Sequence, residues 1–274
     1  SSFFSFSLFF GIFEFIRGSI LTGFPWNLIA YSFSNHLEIL SITSFIGTYG
    51  FNLFCISLFA SPAVFILRDT KKDIGVCIIF LMMPLLFYMY GLSYKQTFST
   101  SDVVSYNYKV RAIGSNISLE RFYSNTDPVL VIKDLIEISE PIKNEKTIFV
   151  WPEGILPEIS QKELFEYKWL FEKRFDKNHL LLIGINNQTT NKESINYFNS
   201  LSIYDHNLEL LNFYNKVDLV PFGEFLPFED KLKALGLRSI TNNYQSFSKG
   251  NIREIIEINR EGFSIKILPL ICYE

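Results

Sequence analysis

Cysteine is scarce, with three residues in a chain of 274. Cys55 and Cys77 fall inside apolar stretches and read as packing residues. That usage excludes a disulfide framework and leaves Cys272 apart from the other two. Histidine is equally rare. His36, His179 and His206 show no partner pattern, and no zinc-type Cys/His spacing occurs, so no metal or cofactor is expected. A basic run is also missing and the net charge is -3, which excludes a nucleic-acid partner. Charge itself is sparse in residues 1–94, whereas residues 95–274 hold most of the Lys, Arg, Asp and Glu. With 48% hydrophobic and 17% aromatic residues, this split predicts a membrane helical region over 1–95 and a soluble domain over 96–274.

Spans are expected near residues 1–16, 37–67 and 74–94. The second is long enough to cross a hydrocarbon core of about 30 Å with residues to spare. Between the last two, Arg68, Lys71 and Lys72 crowd one short turn, which the positive-inside rule places in the cytoplasm. The soluble domain then emerges on the opposite, extracytoplasmic side. Glu14 and Arg17 are three apart and share a helix face, either as an interfacial ion pair or as functional charges at membrane level. Thr22-Gly23-Phe24-Pro25-Trp26-Asn27 reads as an irregular loop, because Gly and Pro break a helix and Trp favours the interface.

In the second half, strands are expected over 109–117, 147–150 and 179–185. A helix capped by Asn125 or Asp127 runs to Ser139, and a second covers 161–176 with Leu164, Phe165 and Leu170 facing the core. Residues 186–191 read as a polar loop. Two hairpins follow, 197–204 with 208–214 and 252–258 with 263–271. Strands alternating first with helices and then with hairpins indicate a layered α/β domain with a mixed sheet.

Three segments carry chemistry: Trp151-Pro152-Glu153, Tyr214-Asn215-Lys216 and Ile271-Cys272-Tyr273-Glu274. Each lies at or after an expected strand, at the sheet edge where α/β sites are built. A thiol attacks only as thiolate and needs a base, which Glu153 supplies. An ammonium such as Lys216 stabilises the charge that grows on a carbonyl oxygen under attack. Glu224 and Glu274 either orient Lys216 or are ordinary surface acids.

These segments, with 214–224 taken whole, resemble the signatures of the nitrilase (carbon-nitrogen hydrolase) superfamily. Arg17-Gly18 and the Phe24-Pro25-Trp26 loop, ahead of such a domain, resemble the apolipoprotein N-acyltransferase family. The resemblance implies an αββα sandwich preceded by transmembrane helices. Glu153 is then general base, Lys216 oxyanion stabiliser and Cys272 nucleophile. Glu224, Tyr273 and Glu274 support the site, and Arg17, Phe24, Pro25 and Trp26 form the membrane-level loop. It also implies a phospholipid acyl donor (phosphatidylethanolamine-like), an apolipoprotein acceptor, and a multi-pass protein of a bacterial inner membrane with a periplasmic catalytic domain. Two departures stand out. Ile113-Gly114-Ser115-Asn116-Ile117 occupies a place where the family often has Gln before Gly-Asn-Ile, and Phe122 or Tyr123 replaces a Trp. The chain opens without Met and stops at Glu274, so a fragment truncated at both ends is expected. A membrane-tethered amidase and a non-enzymatic scaffold are the competing readings.

Overall fold

The computed structural model describes residues 2–67, 70–99, 106–114, 127–156, 159–190, 195–235, 246–260 and 262–274. It divides into two compact units, Ser1–Val104 and Ser105–Glu274. Ser115 to Ile117, Phe122, Tyr123 and Asn125 lie outside the described residues, as do Arg68 and Asp69 of the basic turn.

The first unit is helical: α1 (Ser2–Ser19), α2 (Leu37–Leu40), α3 (Thr43–Ile66) and α4 (Lys71–Ser99), with a 3₁₀ turn at Ile29–Phe33. Among the described residues, two helical stretches, Thr43–Ile66 and Lys71–Thr97, are long and apolar enough to cross a membrane. Residues 37–67 are not one rod. Gly47 takes φ 72° and ψ 167°, a conformation that breaks the helical ladder and that a side chain would oppose. Phe51, Phe54, Cys55 and Leu58 of α3 form the core with Leu28 and Ala30, and Phe80 and Phe87 of α4 pack against it. Asn52, buried in α3, accepts the Ala30 N–H at 3.0 Å, which satisfies a backbone donor of the 3₁₀ turn. Cys55 and Cys77 are buried, in keeping with a packing role.

The second unit is mixed α/β. Its elements in order are β1 (Lys109–Ala112), α5 (Pro128–Ser139), β2 (Thr147–Trp151), α6 (Lys168–Phe171), β3 (His179–Gly184), β4 (Asn187–Thr190), β5 (Ile195–Phe198), β6 (Ser200–Asp205), β7 (Leu210–Asn215), α7 (Glu229–Ala234), β8 (Ile256–Arg260) and β9 (Phe263–Ile267). Five strands form one sheet in the order β1-β2-β3-β6-β7. The first three are parallel, whereas β6 is antiparallel to both β3 and β7. The period-2 pattern buries both faces. Phe149, Trp151, Leu181 and Ile183 meet Ile132, Leu135 and Ile136 of α5 on one side. Ile148, Leu180, Leu182 and Ile203 meet Ile256, Ile258, Phe263 and Ile265 of the β8–β9 hairpin on the other. Asp127 caps α5, accepting the Val129 N–H at 2.9 Å, with Pro128 at the first helical position.

Several expected elements differ. The 161–176 helix is a 3₁₀ turn, Glu163–Tyr167, followed by the short α6. With three residues per turn, Leu164 and Tyr167 share the inner face and Phe165 turns outward, 58% exposed, beneath the Lys168 ammonium. The polar loop after β3 is a strand, β4, paired antiparallel with β5. Its Asn-Gln-Thr-Thr composition hides it, because a two-stranded ribbon at an edge needs no apolar alternation. The single strand expected over 197–204 breaks at Asn199: β5 pairs with β4, and β6 joins the main sheet. The second hairpin is shorter than expected at both ends, so that Ile252 to Ile255 and Leu268 to Ile271 are irregular.

Candidate active site

The sheet topology converges on one edge. Strands β2, β3 and β7 run in the same direction, so their C-terminal ends lie side by side, together with the start of the opposed β6. The register fixes the levels: Trp151 stands beside Ile183, Gly184 beside Leu201, and Ser200 beside Asn215. Glu153, just past β2, and Lys216, just past β7, therefore emerge at the same rim. Gly184 makes this possible. A Cβ there would lie 2.6 Å from both the Glu153 Cα and the Pro152 carbonyl oxygen. Gly250 does the same for Lys216, since its N–H donates to the Lys216 carbonyl at 2.8 Å and its Cβ would strike the Asn215 carbonyl oxygen at 2.0 Å.

Lys216 is 1% exposed, and its Nζ is ringed by acceptors. Glu224 Oε1 and Oε2 lie at 3.0 and 2.9 Å, and Glu153 Oε1 at 3.5 Å. The ammonium also stands 5.5 Å from the Tyr273 ring centroid. Burial disfavours its charge, but the Glu224 hydrogen bonds, the Glu153 and Glu224 carboxylates and the Cys272 sulfur outweigh that and raise its pKa. Lys216 is thus a fixed cation at neutral pH.

The two acids differ. Glu224 is bound through both oxygens, to Lys216 and also to the Asn199 amide at 2.6 Å and the Val220 N–H at 2.8 Å. With every strong acceptor direction engaged and its side chain 12% exposed, it is a counter-ion. The Glu153 side chain is 38% exposed. Its Oε1 accepts from Asn199 at 2.5 Å and its Oε2 accepts nothing among the described residues.

Cys272 is exposed and sits in a tight turn with φ 60°, left-handed for a residue other than glycine. It lies five residues beyond β9, which ends at Ile267, and not directly after a strand as the sequence pattern suggested. The turn is held by Glu274, whose Oε2 accepts the Ile271 N–H at 3.0 Å. Its Oε1 accepts from the Val217 and Asp218 N–H groups at 2.9 and 3.0 Å, the Tyr214 hydroxyl at 2.8 Å and Arg253 Nη2 at 2.9 Å. Burial opposes that carboxylate, but these donors prevail and hold its pKa below the usual glutamate value. Glu274 therefore ties the Cys272 turn to the segment that follows Lys216. The Tyr273 hydroxyl donates to the Leu219 carbonyl at 3.2 Å, a second tie of the same kind. Neither Glu224 nor Glu274 is a surface acid.

In the other unit, Arg17 pairs with Glu14 through two bonds of 3.1 and 2.9 Å, as their three-residue spacing on one helix face allows. The segment after α1 is irregular, with Leu21, Gly23 and Asn27 at positive φ. The Phe24 and Trp26 rings meet in a tilted contact with centroids 5.1 Å apart, the Pro25 carbonyl accepts the Tyr31 hydroxyl at 3.0 Å, and Trp26 is exposed.

Sequence reasoning missed Asn199, Gly184, Gly250 and Arg253. Asn199 lay inside an apparently unbroken strand. Each glycine reveals its purpose only through a neighbouring chain remote in sequence.

The family described as apolipoprotein N-acyltransferase N-terminal domain matches residues 1–61. An apolipoprotein N-acyltransferase of Bradyrhizobium diazoefficiens is 28% identical over 276 residues, covering 95% of this chain and 50% of that protein. This chain resembles the apolipoprotein N-acyltransferases. A Brucella melitensis relative of the same name is 28% identical over 279 residues, covering 98% of this chain and 51% of its own length. The chain thus spans about half the length of the acyltransferases it matches. Among solved structures, an amidase from Nesterenkonia sp. aligns with 16% identity and a TM-score of 0.29, covering 59% of this chain and 52% of its own.

Proposed function

We propose that the protein is a membrane acyltransferase that moves a fatty-acyl chain from a phospholipid, through a thioester on Cys272, to the α-amino group of a diacylglyceryl-cysteine at an apolipoprotein N-terminus. The observation that carries this reading is a buried Lys216 ammonium shared by Glu153 and Glu224, beside a Cys272 held on a left-handed turn. The chain's likeness to acyltransferases over nearly its whole length supports it.

In this reading Glu153 takes the proton from the Cys272 thiol through its Oε2, which is unengaged among the described residues. The thiolate attacks the ester carbonyl, and Lys216 holds the oxyanion. Glu153 returns the proton to the departing lysophospholipid oxygen, leaving the thioester. An α-amino group, whose ordinary pKa of about 7.7–8.0 leaves a useful neutral fraction, then attacks. Glu153 accepts its proton, the C–S bond breaks as the amide forms, and Glu153 passes that proton to the departing thiolate, restoring the thiol. Glu224 keeps Lys216 charged. Glu274 and Tyr273 hold the Cys272 turn, and Arg17, Phe24, Pro25 and Trp26 form a loop at the membrane surface. Apolar spans tether the catalytic unit to the bilayer, where phospholipid is abundant and water, the competing acceptor, is scarce. The assignment to a bacterial inner membrane, with a periplasmic catalytic unit and a phosphatidylethanolamine-like donor, belongs to the same proposal. So does a complete αββα sandwich, for which the helix–sheet–hairpin layering is a partial frame.

The test is mass spectrometry of the protein after incubation with phospholipid vesicles. A fatty-acyl adduct on Cys272, discharged by a lipopeptide amine and absent in Cys272→Ala, is expected. Hydrolysis of small amides with no acyl adduct would instead identify a tethered amidase.

A further inference from the structure

We propose that Asn199 is a positioning residue of this site, which uses one amide to hold the base and the counter-ion in their different roles. The inference rests on the proposed function and adds a residue to it. Asn199 is 6% exposed and stands where β5 leaves its ribbon and β6 enters the main sheet. Its Nδ2 carries two N–H donors, and each meets a different carboxylate: Glu153 Oε1 at 2.5 Å and Glu224 Oε1 at 2.6 Å. Its backbone carbonyl accepts the Lys216 N–H at 2.9 Å, so the same residue also fixes the chain that carries the ammonium.

The charge balance explains the need. Two carboxylates share one ammonium, and Lys216 leans towards Glu224, reaching Glu153 at 3.5 Å. The bond from Asn199 is therefore the short contact that orients Glu153. It occupies Oε1 and leaves Oε2 for the thiol proton. The residue type follows from the same geometry. An ionised carboxylate in this place has no donor and adds a third like charge, and a serine hydroxyl has a single hydrogen for two acceptors.

The experiment measures alkylation of Cys272 by iodoacetamide in the full chain, in phospholipid vesicles, for the wild type, Asn199→Asp and Asn199→Ala. Thermal unfolding is recorded alongside. Both variants should alkylate at least about tenfold more slowly near neutral pH when assayed well below their own unfolding temperatures. As pH is lowered, the Asn199→Asp rate relative to wild type should rise, because a protonated carboxyl regains one O–H donor, whereas Asn199→Ala should show no such recovery. Rates within about twofold of wild type, or losses that follow unfolding without that recovery, would overturn the proposal. Alkylation needs no acyl donor. Failure of the wild type to form an acyl adduct therefore counts against acyl transfer alone, and the role of Asn199 is judged separately.

Discussion

Lys216 shows how a buried charge is kept. Its folded pKa is raised, so its ion pairs add stability that is complete below the ordinary lysine value of about 10.4 and is lost as pH climbs through the higher folded value. Alkaline loss of activity below about pH 10 should therefore not come from this residue. Lys216→Ala should reduce thioester formation by at least ~10²–10³, measured in single turnover with labelled phospholipid. Truncation also strands two carboxylates, so a fall in stability should accompany it. His179 has the opposite sign. It is fully buried, and burial lowers its pKa, while its Nδ1 accepts the Asp176 N–H at 3.0 Å. The unfolded chain then binds the extra proton. Stability from His179 is complete above the ordinary histidine value of about 6.5 and diminishes as pH falls below it. Urea unfolding at pH 7.5 and 5.5 should show a lower midpoint at the acid value, and His179→Gln should reduce that difference. Glu153, Lys216 and Cys272 were named as candidates from the sequence because each has a reactive head group next to a strand pattern. Asn199 was not, because an amide inside a strand looks like any polar position until its two acceptors are seen.

At the level of elements, the site depends on strand direction and on close approach. Gly184 ends β3 against the backbone of Glu153. Gly184→Ala must push backbone against backbone, which should cost about 1–3 kcal/mol and shift Glu153 away from Lys216. The expected outcome is a lower denaturation midpoint together with slower Cys272 alkylation, and an unchanged midpoint would remove the packing argument. The strands with apolar runs, β2 and β3, were readable from pattern because both faces are buried. The elements that escaped had no such signal. Strand β4 is polar, β5 and β6 differ only in which partner they choose, and the 3₁₀ turn before α6 carries a helical composition with a different angular period.

For the whole molecule, the sequence passes from sparsely charged apolar segments to a charge-rich segment near residue 95, and the chain divides into two compact units at Ser105. The proposed topology places the turn before α4 and Cys272 on opposite sides of the membrane. Cys272 is exposed, whereas Cys55 and Cys77 are buried. A membrane-impermeant maleimide applied to spheroplasts should label Cys272 and spare a Thr70→Cys site until the membrane is permeabilised. Labelling of both sites from outside would refute the orientation.

The amino-acid order alone determined the partition into apolar and charged halves and the strands buried on both faces, and it named three candidate reactive groups. These follow from local composition and period, which need no knowledge of distant neighbours. Tertiary structure decided how those groups are placed. Parallel β2, β3 and β7 end at one rim, Lys216 leans on Glu224, and Asn199 joins two acids that are remote from each other along the chain. Hydrogen-bond partnership and charge pairing depend on separations of a few ångströms in space, and only the folded sheet sets those.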